Sequence, residues 1–288
     1  MVTGPSVVAL GGGHGLAATL EATRLYAGDV TAIVSGADDG GSSGRLREDL
    51  GIPPPGDLRR CLVALGEPGS LWGRVFEHRF DAGELEGHPV GNLVIAGLAT
   101  STGDFIAALE EAGRLVGAAG RVVPATATPV VLKAEADGSP VEGQVAVAGA
   151  SHITKVSIVP PDAEPPPQAL DALGRADQVV LGPGSLFTSI LAVVAVPALR
   201  RALARTTAPK VYVCNLRHQV PETEGYDVAA HVEALGAHGL DVDVVLCDPR
   251  GMARGDVRVA CVEADLARAD GAAHDPSKLA RALSALVR

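Results

Sequence analysis

The side chains and glycines best suited to chemistry stand in short clusters, each after an apolar run. The first is Gly11-Gly12-Gly13-His14-Gly15-Leu16, which follows the apolar residues 7–10. Glycine admits φ > 0 and lets an anion approach the backbone closely. A helix starting here adds free N–H groups and roughly half a positive charge. The cluster therefore suits a phosphate. It departs from the dinucleotide fingerprint, because Leu16 stands where the last glycine belongs, and no Walker-type Gly-Lys-Ser/Thr follows. The second cluster is Ser35-Gly36-Ala37-Asp38-Asp39-Gly40-Gly41-Ser42-Ser43-Gly44-Arg45-Leu46-Arg47. Asp38 and Asp39 are paired carboxylates, Ser42 and Ser43 are donors, and Arg45 and Arg47 are cations suited to phosphate oxygens. Mg²⁺ needs only one or two carboxylates plus ligand phosphates, so its use stays open. A third cluster, residues 182–189, offers Gly184, Ser185 and Thr188 as backbone and hydroxyl donors.

Other candidates are single residues. Asn92 either caps a helix or turns its amide to a ligand, and His88 beside Pro89 is a weak acid/base candidate. Asp57 reads as a helix N-cap, while Arg59 and Arg60 face either the anion site or solvent. Asn215 ends an apolar run and leads into a polar loop, residues 217–226, that could fold over a ligand. In it Tyr226 could stack on a base, and Glu222 or Thr223 could bond a sugar hydroxyl.

These clusters need a common frame. Residues 7–10, 29–34, 178–181, 210–215 and 242–248 read as buried strands alternating with helices. That pattern predicts an α/β fold, a Rossmann-like doubly wound, mainly parallel sheet. Its strand ends share one edge, so the clusters would line one crevice. Between 121 and 159 the period changes. Residues 130–136, 141–147 and 153–159 are strand-like, with a turn at 137–140. We expect a small antiparallel β-meander inserted within a single domain spanning 1–288. Trp72, Phe76 and Phe80 at i, i+4, i+8 predict one core-facing helical stripe.

Composition narrows the partners. The chain has 24 Lys and Arg against 34 Asp and Glu, a net charge of −10, with no dense basic block. Nucleic acid is therefore not expected as a partner. Cys61, Cys214, Cys247 and Cys261 form no C-x-x-C pair, which argues against zinc and suits a reducing compartment. Residues 1–10 show no signal-peptide pattern and no apolar run reaches membrane-spanning length. The expectation is a cytoplasmic protein without a membrane span.

The motifs quoted above, with Pro54-Pro55-Gly56-Asp57-Leu58-Arg59 and Glu222-Thr223-Glu224-Gly225-Tyr226, resemble the gluconeogenesis factors of the YvcK type. The resemblance runs over nearly the whole chain. It implies a cytoplasmic bacterial protein with a CofD-like fold related to 2-phospho-lactate transferase. It implies binding of UDP-sugars, UDP-N-acetylglucosamine and UDP-glucose, and a regulatory role in cell shape and wall synthesis during gluconeogenic growth. Regulators of wall synthesis would be its protein partners, and a homodimer stays open. Tyr226 resembles the uridine-contacting tyrosine of that family. Two positions depart from the pattern: Ala192-Val193 replaces Pro-Asn, and Ala273 replaces an arginine. Two function classes remain. One is a binding, regulatory protein; the other is a Mg²⁺-dependent phospho- or glycosyl-transferase. With no clear nucleophile–base pair, the first is preferred. A nicotinamide oxidoreductase fails on the missing glycine.

Overall fold

The computed structural model describes residues 4–287, so the first three residues of the stretch read for a leader lie outside it. The main sheet is built from β1 (Ser6–Gly11), β2 (Asp29–Val34), β3 (Arg121–Pro124), β7 (Gln178–Leu181), β8 (Lys210–Val213), β9 (Val244–Cys247) and β10 (Ala260–Glu263). Its order is β3-β2-β1-β7-β8-β9-β10, and every pairing is parallel. The α/β, Rossmann-like expectation is met.

The strands are buried on both faces, which is why they read as unbroken apolar runs. Val8 and Leu10 point into one core and Val7 and Ala9 into the other. From β1 the chain steps outward to β2 and β3, then returns to lay β7 on the other side of β1. That reversal leaves a crevice between the carboxyl ends of β1 and β7. Three helices start at this edge: α1 (Gly13–Thr23) and α3 (Gly56–Leu65), which pack into the core of Val7 and Ala9, and α2 (Gly41–Leu50), whose Leu46 joins a smaller separate cluster.

Then come α4 (Leu71–Glu77), α5 (Val90–Thr102) and α6 (Phe105–Val116). The expected aromatic stripe is corrected here. Helix α4 stops at Glu77, because Arg79 leaves the helix to bridge Pro89. Only Phe76 is fully buried; Trp72 stays 44% exposed and meets it edge-on.

A second sheet holds β4 (Val131–Ala136), β5 (Ser139–Glu142) and β6 (Ile153–Val159), in the order β5-β4-β6. It is antiparallel, as expected, but with β4 central it is not a sequential meander. Two boundaries also differ. Residues 121–124 belong to the main sheet, where β3 pairs Thr31 with Arg121 through Val34 with Pro124. The apolar run 141–147 breaks at Gly143 (φ +97) into β5 and a short helix, α7 (Gln144–Ala148).

The rest of the chain adds α8 (Pro167–Arg175), a π-helical turn at Leu186–Ile190, α9 (Leu191–Val194), α10 (Pro197–Arg205), α11 (Val228–Ala237) and α12 (Pro276–Ser284). Among the described residues no single helix is long and apolar enough to cross a membrane. The one bent pair of sufficient combined length, Leu186–Val194 with Pro197–Arg205, turns by 79°.

Candidate functional site

The crevice between β1 and β7 opens into a cavity of about 490 Å³. Three helices begin on its wall, at Gly13, Gly41 and Gly56, and none has a side-chain N-cap. Their macrodipoles make the cavity favourable for an anion even in an acidic chain. Arg59, Arg60 and Arg79 add cations. Arg59 is buried, pairing with Glu77 at 2.6 Å and donating to the Phe76 carbonyl. Arg60 pairs with Asp57 at 2.7 Å. Both arginines thus face the site, which resolves the alternative that the sequence leaves open.

The glycines act by close approach. A Cβ on Gly15 would lie 2.2 Å from the Pro183 carbonyl oxygen, so the two glycine loops interlock only without one. At Gly12 a Cβ would lie 2.7 Å from Asp57 Oδ2 and 3.1 Å from Ser189 Oγ. Gly13 (φ +63) instead faces open space, and its N–H donates to Asp57 Oδ2 at 2.8 Å. Asp57 is therefore not the expected N-cap. Pro55 holds that position, and the Asp57 carboxylate ties α3 to the first glycine loop.

Asp38 lines the same cavity and accepts from the Gly40 N–H at 3.0 Å. Burial pushes its carboxyl above the usual range, and the nearby Asp57 charge adds to this. Asp38 and Asp57 are the carboxylates that could hold Mg²⁺. Among the described residues no group of three or more His, Cys, Asp or Glu is arranged for a metal, so ligand phosphates would have to complete the shell.

Asp39 does not share that role. Its carboxylate accepts from the backbone N–H groups of Gln144 and Val145 and so caps α7, outside the cavity lining. Arg45 is likewise redirected: it is exposed and donates to the Glu86 carbonyl at 2.9 Å. Ser42, Ser43 and Asn92 do line the cavity. Ser43 Oγ accepts from the Gly56 N–H. Ser42 Oγ lies 2.8 Å from His88 Nδ1 and accepts from Asn92 Nδ2 at 3.0 Å.

On the β7 side, Gly184, Ser185, Thr188 and Ser189 line the cavity. Asn215 grips Gly184 from behind, accepting from its N–H and donating to its carbonyl, each at 2.9 Å. It orients the loop instead of the cavity. The polar loop after Asn215 folds inward. Glu222 is buried; its carboxylate accepts from Ser185 Oγ at 2.6 Å and the Phe187 N–H at 2.7 Å. Burial pushes its carboxyl up despite these bonds. Thr223 is spent on Gln219. Tyr226 wedges edge-on between Phe187, at 6.3 Å, and His231, at 5.6 Å, and is not among the residues lining this cavity.

His14 and Gly15 also border a neighbouring cavity of about 290 Å³, shared with Asn215, Gln219 and the buried His274. Leu216, Arg217 and His218 lead from it into a third, of about 590 Å³, beside Asp248 and Arg268. The site is thus a train of three hollows along the carboxyl edge of the sheet. Residue reading missed Asp57, Arg79, Gln144, Gln219 and His274 as lining residues. Only Asp57 carried a signal, a carboxylate three positions before Arg60 at a helix start.

The comparisons bear on the family and the fold. The profile of the 2-phospho-L-lactate transferase CofD family matches residues 7–280. A Mycobacterium leprae relative is 45% identical over 307 aligned positions, covering 97% of this chain and 85% of its own length. The gluconeogenesis factor of Bacillus subtilis is 43% identical over 237 residues, covering 81% of this chain and 75% of its own. A crystal structure of a UPF0052 family member from Bacillus halodurans superposes with a TM-score of 0.92 at 35% identity, covering 98% of this chain and 99% of that one. The chain belongs to the 2-phospho-L-lactate transferase CofD family, among its gluconeogenesis factors.

Proposed function

We propose that this chain is a nucleotide-sugar binding regulator that takes UDP-N-acetylglucosamine or UDP-glucose, in the cytoplasm, in support of cell shape and wall synthesis during gluconeogenic growth. The observation that carries the reading is the cavity at the β1/β7 reversal, where three helix N-termini and three arginines meet. A diphosphate fits that polarity. The adjoining hollow beside Asn215 and His274 would take the base, in place of stacking on Tyr226. We read 1–288 as one domain carrying the β5-β4-β6 sheet as an insertion, because the first core contains Leu10 of β1 together with Leu132 of β4 and Ile158 of β6. The relatives named gluconeogenesis factor support the physiological side.

One feature favours a second reading. Asp38, its carboxyl pushed up by burial and by the nearby Asp57 charge, lines the cavity with Asp57, a carboxylate pair that would suit a Mg²⁺-dependent phospho- or glycosyl-transferase related to the family's 2-phospho-lactate enzyme. A single incubation separates the two. With UDP-N-acetylglucosamine and Mg²⁺, a regulator returns the ligand intact after saturable binding, whereas a transferase releases UDP. Saturable binding with no UDP formed is the expected result. Absence of binding overturns both readings.

A further inference from the structure

Three of the four cysteines stand in a row where β8, β9 and β10 run side by side, and all four are free thiols. Cys61 lies apart, on α3 in the core of Val7 and Ala9. Cys214 directly follows β8 and Cys247 ends β9, and the pairing of Val213 with Leu246 brings the two next to each other. Cys261 is the second residue of β10. Glu263 pairs with Cys247, so Cys261, two positions earlier, projects to the same face of the sheet. Its Sγ lies 3.6 Å from Cys247 Sγ. The two sulfurs are in van der Waals contact, and a disulfide brings such a pair to about 2.05 Å.

The thiols differ in access. Cys247 is 4% exposed, and burial, with the neighbouring Cys261, pushes its thiol up to about 12. Cys214 is buried too, and burial pushes it up to about 12 as well. Neither meets an oxidant from solution as a thiolate. Cys261 is half-buried, on the strand that ends the main sheet. It is the sulfur of the three that solvent reaches, and it sits on the strand held by a neighbour on one side only. The place of the pair matters as well. The Cys247 carbonyl accepts from the Ala264 N–H at 3.0 Å, and the next residue, Asp248, accepts from the N–H groups of Leu266 and Ala267 at 2.8 and 3.1 Å. The pair thus stands at the root of the segment after β10, whose residues 267–271 border the 590 Å³ hollow.

We propose that Cys247 and Cys261 are a redox modification site, a dithiol that a peroxide closes to a disulfide and a thiol reductant reopens. The peroxide oxidises the Cys261 thiol to a sulfenic acid; its O–O bond breaks and one water leaves. Cys247 sulfur then attacks Cys261 sulfur, the S–O bond breaks, and the hydroxyl departs with the Cys247 proton as a second water. Two thiols give up two electrons and two hydrogens, and the peroxide is reduced to two waters. Contact, not acidity, makes Cys247 the resolving group, because the attack is intramolecular. The bond fastens the last strand to its neighbour and stiffens the root of the hollow-lining segment. A transient disulfide of this kind is compatible with a reducing compartment.

Intact-mass spectrometry and peptide mapping of the native chain, after a small molar excess of hydrogen peroxide, test it. Wild type should lose the mass of two hydrogens and two of its four free thiols, with Cys247 joined to Cys261, and dithiothreitol should restore both thiols. Cys261→Ser should keep its remaining thiols free under the same treatment. Cys247→Ser should stop at a single added oxygen on Cys261, captured by dimedone. Amide exchange gives a second readout: protection of β10 and of residues 264–267 should rise on oxidation of wild type and stay level in Cys261→Ser. Wild type that keeps all its thiols, that accumulates two or three oxygens on Cys261, that joins Cys214 instead, or that forms a disulfide-linked dimer overturns the site. So does a bond that forms only in urea. Oxidation that leaves the exchange of β10 unchanged overturns the fastening of that strand.

Discussion

Asp57 shows how a residue's role depends on what the fold sets beside it. In the sequence it is a plausible cap; in the structure its carboxylate holds the Gly13 N–H and Arg60 and touches the space a Gly12 side chain would need. Gly12 itself has an extended φ of −168°, open to any residue, so its requirement is for space. Gly12→Val should consequently do two things: abolish UDP-sugar binding and lower the melting temperature, as the valine displaces Asp57 and Ser189. Calorimetry and thermal unfolding on one preparation would show both, and a variant with unchanged melting temperature would contradict the packing argument. Tyr226 gives the opposite lesson. Its ring is held by Phe187 and His231 and does not face the cavity. Tyr226→Ala should cost about 1–2 kcal/mol of stability for a half-buried aromatic, with UDP-sugar affinity changed by less than about twofold. A specific loss of affinity without destabilisation would return the base to Tyr226.

At the scale of elements, what was legible was local. The first glycine loop, the Asp38 loop and the 182–189 turn each carry strand, turn and helix signals within a dozen or so residues, and each stands where expected. What was illegible depends on distant partners. Residues 121–124 look like the start of an insertion, but only pairing with β2 makes them part of the main sheet. The run 141–147 looks like one strand. It becomes strand and helix because Gly143 turns at φ +97 and Asp39, roughly a hundred residues earlier, accepts the next two N–H groups. The same pairing takes Asp39 away from the site. Asp39→Ala should remove the cap of α7 and cost about 1 kcal/mol. Gly143→Ala should cost at least as much, since its Cβ would lie 2.6 Å from Asp39 Oδ2 at a φ that L residues avoid. Urea unfolding of both variants tests this; native-like midpoints would mean α7 holds without its cap.

For the whole molecule, two buried imidazoles tie stability to pH. Burial lowers His231 and His274 to about 4, and each has an Nε2 without a partner among the described residues. The unfolded chain binds these protons near pH 6.5, the folded chain only near 4. Stability should therefore be full above about pH 7 and fall as pH drops toward 4, by at most roughly 3 kcal/mol per histidine. Asp248, held below the usual carboxylate range despite burial by Arg250 and by backbone N–H groups, acts only at lower pH. A urea midpoint equal at pH 7.5 and pH 5 would refute the imidazole account. The last consequence belongs to the contrast between the cavity and its surroundings. The anion site is made of backbone dipoles and three arginines set in a chain of net charge −10. A dianionic ligand is therefore repelled during most of its approach and attracted only within the last few ångströms. Salt near 0.15 M shortens the reach of the repelling field to about 8 Å but screens the recessed helix ends less. The association rate, measured by stopped flow, should rise with added salt, the reverse of ordinary electrostatic steering; a falling rate would mean that the cavity's field extends beyond its mouth.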